Sequence, residues 1–225
     1  MLLSQLPNQK FWGLLEYKPQ WTLTLQGWLF LGFVLISVLI SFVLCIHPFL
    51  RVSRPVEAEV MVIEGWVPDI TIEGAIAQFQ EKNYRLMITT GNEIGRGKYL
   101  SDYKTFADLA AATAIALGLN RDQVVSVPNK TVSVNRTAAS AKAVKQWLLS
   151  SDLNIKAINI YSHDVHTRRS WLIFRTLLEP EIKVGAIAFS PAYSKSWWKT
   201  STGIKSVIME TIAYFYTKLI WPMEN

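Results

Sequence analysis

The sequence predicts an α/β fold: a mainly parallel five-stranded sheet with helices on both faces, preceded by one transmembrane helix. Three observations carry this expectation. Five short apolar segments, at residues 60–63, 86–89, 124–127, 158–161 and 184–189, alternate with stretches whose apolar residues recur at helical spacing. The connections between them are short, and parallel strands need helical crossovers of that kind. The strands are runs of apolar residues, as strands buried on both faces are. Ahead of them, from Pro19 to Leu50, the chain has no Asp, Glu, Lys or Arg.

Residues 1–22 read as a leader, with Lys10, Glu16 and Lys18. Residues 23–50 read as the anchor. A helix needs about 20 apolar residues to cross the hydrocarbon, and residues 28–46 supply such a run. Trp21 and Trp28 stand where interface-seeking rings belong, and Pro48, Arg51 and Arg54 close the far end. A cleaved signal peptide fits less well, because leader and run are long and no small-x-small site follows directly. The cations on the two sides are near a tie: Lys10, Lys18 and the terminal amine against Arg51 and Arg54. Charge therefore leaves the orientation open.

Residues 51–59 read as a linker to an α/β domain over 60–225. After the first strand, Asp69 is an expected helix N-cap, with Ile72, Ala75, Ile76 and Phe79 on the apolar face. The second strand runs into a loop over 90–100 containing Gly91, Gly95 and Gly97. An Ala-rich helix over 103–117 is stopped by Gly118. The third strand ends at Pro128. A helix over 133–150 has Ser133 as its expected N-cap and buries Ala138, Ala141, Val144 and Leu148. Helices over 165–178 and 203–219 follow the fourth and fifth strands. The last carries Ile204, Val207, Ile208, Ile212, Phe215 and Leu219, beyond Trp197 and Trp198. That stripe packs on the sheet or lies on the bilayer near the anchor.

Composition narrows the function. Of 225 residues, 23 are basic and 17 acidic, so the formal charge is 23 − 17 = +6. This suits anionic lipid or phosphate ligands. There is no dense basic run and no nucleic-acid motif, so no nucleic-acid partner is expected. A single cysteine, Cys45, excludes a disulfide framework and a Cys-based metal site. Neither a P-loop nor a dinucleotide fingerprint is present.

The chemistry concentrates at residues 162–170, Ser-His-Asp-Val-His-Thr-Arg-Arg-Ser, where the fourth strand feeds a helix. Ligands of open α/β sheets sit outside the carboxyl ends of the strands. Two of the three histidines are here, His163 and His166. His166 is the expected general acid/base, since an unperturbed imidazole titrates near pH 6.5. Asp164 is expected to orient it. Two His and an Asp could ligate zinc or manganese, but only the helical part would bring His163 and His166 together, and no metal is assigned. Arg169 is the expected anion clamp. Other candidates lie on the same sheet edge: Glu64 as an acid, Trp66 as a wall, Thr90 and Gly91 at the glycine turn, and Asn135, Arg136 and Thr137 at a helix start.

Three segments together resemble the YdcF/SanA/ElyC-like family over about residues 60–189. Thr89-Thr90-Gly91 stands where the family has an SGG-like turn, and 133–137 where it has an S-x-N-T-like helix start. Residues 162–170 stand where it has T-S-x-x-H-x-x-R-A, which puts His166 and Arg169 on the family's His and Arg. The acid that often follows S-x-N-T falls on Ala138 or Ala139. The resemblance implies a Rossmann-like three-layer sandwich and a role in bacterial envelope biogenesis around lipid-linked sugar precursors. It also implies an inner-membrane protein with its domain on the extracytoplasmic side. It brings no settled reaction; nucleotide or S-adenosylmethionine binding is suggested for some members, and the cofactor stays unknown. The expected function is action on a phosphorylated, nucleotide-like or polyprenyl-phosphate-linked metabolite, by a hydrolase or transferase. The alternative is a non-catalytic binding or regulatory module of envelope polysaccharide assembly.

Overall fold

A computed structural model describes residues 10–17 and 20–221. The charge expectations on Lys18 and the terminal amine fall outside these residues. The chain divides into two compact units, one ending at Ile46 and the next beginning at His47.

In the first unit, the supposed leader contains a small antiparallel sheet of β1 (Lys10–Phe11), β2 (Leu15–Tyr17) and β3 (Trp21–Leu23). The Thr24 hydroxyl then accepts from Gly27 N–H at 3.1 Å and caps α1 (Leu25–Leu50). At about 1.5 Å per residue α1 is about 39 Å long. It is long and apolar enough to cross a membrane, and only 6% of its most apolar window is buried. A core helix of a soluble domain would be mostly covered.

The second unit holds five parallel strands: β4 (Val60–Glu64), β5 (Leu86–Gly91), β6 (Val124–Pro128), β7 (Ala157–His163) and β8 (Lys183–Phe189). Their order is β6-β5-β4-β7-β8. The fold is thus the Rossmann-like α/β sheet the sequence predicts. Side-chain alternation splits the core in two. Val60, Val62, Ile88, Ile158 and Ile160 face α4 (Arg136–Ser150) and α5 (Thr167–Leu178). Met61, Ile63, Met87 and Tyr161 face α2 (Asp69–Glu81) and α3 (Phe106–Ala116). The chain builds outward from β4 to β6, then returns to place β7 on β4's other side. That reversal opens a crevice at the carboxyl ends of β4 and β7.

Helix starts depart from expectation by local geometry. Pro68 is the N-cap of α2, and Asp69 is its first residue. Asn135, at φ +54°, caps α4 in place of Ser133. Asn tolerates that left-handed region better than most residues. Gly118, at φ +101°, lies just beyond α3 as predicted. The 51–59 stretch is no free linker. Arg54 bridges Ala186 of β8 through backbone bonds of 2.7 and 3.1 Å. Asn159 brackets Val56, accepting from its N–H at 2.9 Å and donating to its carbonyl at 2.7 Å. A Cβ on Gly185 would fall 2.0 Å from Asn159 Oδ1, so the crossing needs glycine there. After β8, a 3-10 segment (Ala192–Lys199) leads into α6 (Ser201–Leu219), which runs beside α5.

Candidate functional site

At the switch point, β4 ends in Glu64, whose register partner on β5 is Thr90. Glu64, Thr90 and Ser162 continue the strand positions that face α4 and α5. All three are buried, and the hydroxyls of Thr90 and Ser162 have no hydrogen-bond partner among the described residues. From α5, Ser170 donates to Glu64 Oε2 at 2.7 Å. A 3-10 turn (Asp164–His166) ahead of α5 brings His166 over the same carboxylate. His166 Nε2 stands 3.2 Å from Glu64 Oε2, in ion-pair range but off the line of a hydrogen bond. Its Nδ1 meets Glu210 Oε1 of α6 at 2.9 Å. Arg169 forks onto Glu210, Nε to Oε2 at 2.9 Å and Nη2 to Oε1 at 3.2 Å. Trp66 stands perpendicular to the imidazole, with centroids 4.8 Å apart.

Two carboxylates and two cations are therefore packed together. Burial alone would raise Glu64's pKa, but the charge and contact of His166, the Ser170 hydroxyl and the Arg169 charge hold it at about 2. Burial would likewise raise Glu210, yet His166 and Arg169 bring it to about 2. Burial would lower His166, and the two carboxylates instead push it up to about 9. At neutral pH His166 is an imidazolium, a proton donor rather than a base. Arg169 Nη2 also lies 3.0 Å from His166 Nδ1. Arginine can only donate, so that contact serves as a hydrogen bond once His166 has lost the Nδ1 proton.

A cleft of about 400 Å³ opens in front of the cluster. Trp66, His163, Asp164, His166 and Glu210 line it, with Lys205 and Met209 of α6.

The other expected residues are placed differently. Asp164 does not orient His166. At φ +45°, its carboxylate turns to a second cluster: Oδ1 is 3.1 Å from His47 Nε2 and accepts from Ser194 Oγ at 2.8 Å. His47 stacks on Trp197, with centroids 6.5 Å apart. His163 points to the opposite sheet face, where Nδ1 is 2.7 Å from the Thr71 hydroxyl and the ring stacks on Phe189. Burial holds its pKa below the usual value, against the pull of the Asp164 charge and with the push of His166. The histidines three residues apart thus have opposite tendencies, and no group of three or more metal-ligating side chains occurs among the described residues.

Gly91 offers no cradle for an anion. A Cβ there would fall 2.8 Å from Phe106 Cβ, so glycine is needed to seat α3. Asn135 and Arg136 are exposed, Thr137 is buried, and none of them lines the cleft. The Nε–Nη2 edge of Arg169 is spent on Glu210, so an entering anion meets Lys205 and His166 rather than an open guanidinium fork. Sequence reasoning missed Glu210, Lys205, Ser194 and the part played by His47. One signal was available: Glu210 is the only acid in the 19 residues of α6.

Compared with known proteins, the chain matches no family model and no curated sequence.

Proposed function

We propose that this is a membrane-anchored envelope-biogenesis enzyme, a divergent relative of the YdcF/SanA/ElyC-like proteins. It acts on a phosphorylated, nucleotide-like or polyprenyl-phosphate-linked metabolite. The observation that carries the reading is His166, charged and fixed between Glu64 and Glu210 at the floor of a cleft on the sheet's switch point. The substrate's anionic group docks at Lys205 and His166. His166 gives its proton to the leaving oxygen as the bond to phosphorus breaks, and the attacking hydroxyl, of water or of an acceptor, supplies the replacement. Glu64 and Glu210 hold the imidazolium in place, and Arg169 acts by fixing Glu210. On this reading α1 crosses the inner membrane with the domain on the extracytoplasmic side, and the resemblance of 162–170 to the family's motif supports that orientation.

One observation favours the alternative, a non-catalytic binding module: the four charges satisfy one another and leave His166 only slightly exposed. A single experiment separates the two. The full chain in lipid nanodiscs is incubated with para-nitrophenyl phosphate and, separately, with a polyprenyl phosphate, while binding and phosphate release are followed. The enzyme reading expects turnover that falls about 100-fold or more in His166→Gln with binding retained. Binding without turnover, weakened by Lys205→Ala, would establish the module. No binding of either probe would sink both readings.

A further inference from the structure

We propose that the outward face of α6 lies on the surface of the bilayer that α1 enters, so that the domain is seated on lipid. The inference rests on reading α1 as a membrane span.

α6 is apolar on two sides. Gly203, Val207, Tyr214 and Thr217 face inward. Ile204, Ile208, Ile212, Phe215 and Leu219 recur at spacings of three and four, so they form one stripe along the opposite face. That stripe is open: Ile208 is 51% exposed, Ile212 62% and Leu219 64%. At about 1.5 Å per residue it runs for about 22 Å. A continuous apolar stripe of this kind marks an interaction surface.

Two observations name the occupant. The first is position. Phe49, in the last turn of α1, meets Tyr214 of α6 edge to face at 5.3 Å. Three Cα–Cα steps separate Phe49 from Ile46, and they span about 11 Å at most. Covalent geometry alone therefore limits how far the end of the apolar segment can lie from Tyr214. The second is charge. Residues 192–221 carry Lys195, Lys199, Lys205 and Lys218 and a single acid, Glu210. Glu210 is already paired with His166 and Arg169. With Lys205 at the cleft, the exposed Lys195, Lys199 and Lys218 leave the segment that carries the stripe cationic, and Trp198, also exposed, precedes the helix. Lysines flanking an apolar stripe with a nearby tryptophan are how a helix rests in an anionic headgroup layer. A soluble partner or a second copy would call for neither the lysines nor the closeness to the anchor.

The test uses the full chain with Cys45 replaced by Ser, reconstituted in phosphatidylcholine–phosphatidylglycerol vesicles. Single spin labels are placed at Ile36→Cys in α1, at Ile212→Cys and Phe215→Cys in α6, and at Leu149→Cys on exposed α4. Collisions with oxygen report lipid, and collisions with a water-soluble nickel chelate report water. Lipid signals at 36, 212 and 215, with water at 149, are expected. Ile208→Glu should return the label at 215 to water. A lipid signal at 36 with water at 212 and 215 would overturn the inference and spare the anchor. So would labels at 212 and 215 shielded from both reagents, which would mean a protein occupant. Water at 36 would overturn the anchor itself, and this inference with it.

Discussion

Two buried histidines flank one turn of this domain, and each sits on a carboxylate. His47 meets Asp164 and Ser194 under Trp197. His166 meets Glu64 and Glu210 beneath Trp66. Residue types are nearly the same, and the difference lies in access and charge. Of the His47 cluster only Asp164 borders the cleft, and His47, Ser194 and Trp197 do not line it. It joins three separated stretches of chain, the end of α1, the turn after β7 and the segment after β8, by short-range bonds. The His166 cluster has two carboxylates, an arginine and a cleft mouth. A buried histidine–carboxylate pair is a lock when it joins elements and its histidine lines no cleft. It becomes a candidate for chemistry when solvent-borne groups can.

The largest expected effect tests the lock. Asp164→Ala removes the acceptor of two buried donors and places Ala at φ +45°. The two groups left behind lie 3.1 Å apart and can pair with each other, so one orphaned donor costs about 1–3 kcal/mol, and the left-handed backbone adds about 1. The second unit should lose about 2–4 kcal/mol in urea denaturation of the full chain in detergent. Asp164→Asn keeps an acceptor oxygen and tolerates that backbone, so it should lose markedly less. Turnover per folded molecule should survive in both, because neither touches His166. Lost turnover in folded Asp164→Asn would merge the two clusters into one.

Next comes pH. The folded pKa of His166 is raised, to about 9. Its stabilisation is complete below about pH 6.5 and is lost as pH rises through 9. Glu64 and Glu210 are depressed to about 2. Their stabilisation is complete above about pH 4.5 and is lost as pH falls toward 2. For His166 alone the shift corresponds to about 3 kcal/mol. Stability should therefore plateau between about pH 4.5 and 6.5. Glu210→Gln removes one of the carboxylates that raise His166, so the alkaline limb should still begin near pH 6.5 but end at lower pH, with less stability lost across it. Ring-proton chemical shifts of His166 against pH would check this, and an unmoved midpoint would refute the assignment.

The sheet was legible in the sequence because burial on both faces writes itself as apolar runs, as at 60–63 and 158–161. The long apolar helix α1 was legible for a similar reason: no charged residue falls within 19–50. The site was legible only where it is local. His166, Arg169 and Ser162 lie together in the chain, and Glu64 closes its own strand. Glu210 is 44 residues from His166, and His47 is 117 from Asp164. No spacing rule joins residues whose meeting is fixed by how α6 and the end of α1 pack. Gly91 misled for a physical reason, since a glycine that admits a phosphate and one that admits a neighbouring Phe106 look the same in sequence.

The smallest expected effects are the most discriminating, because one deletion can be made in both clusters. Ser194 donates to Asp164 at 2.8 Å, and Ser170 to Glu64 at 2.7 Å. Ser194→Ala and Ser170→Ala each remove one hydroxyl and leave the histidine facing its carboxylate. Each should cost about 1–3 kcal/mol, as lost hydrogen bonds to charged groups do. Stability at neutral pH will not tell them apart; the acid limb will. The Ser170 bond is one of the contacts holding Glu64 at about 2. Its loss lets that pKa climb, so Ser170→Ala should lose less stability than the parent as pH falls from about 4.5 toward 2. Ser194→Ala should leave the Glu64 and Glu210 limb where it was, because its hydroxyl touches neither. Equal displacement of the acid limb in both variants would mean that the turn from 163 to 166 couples the clusters electrostatically, and the division into lock and site would fail.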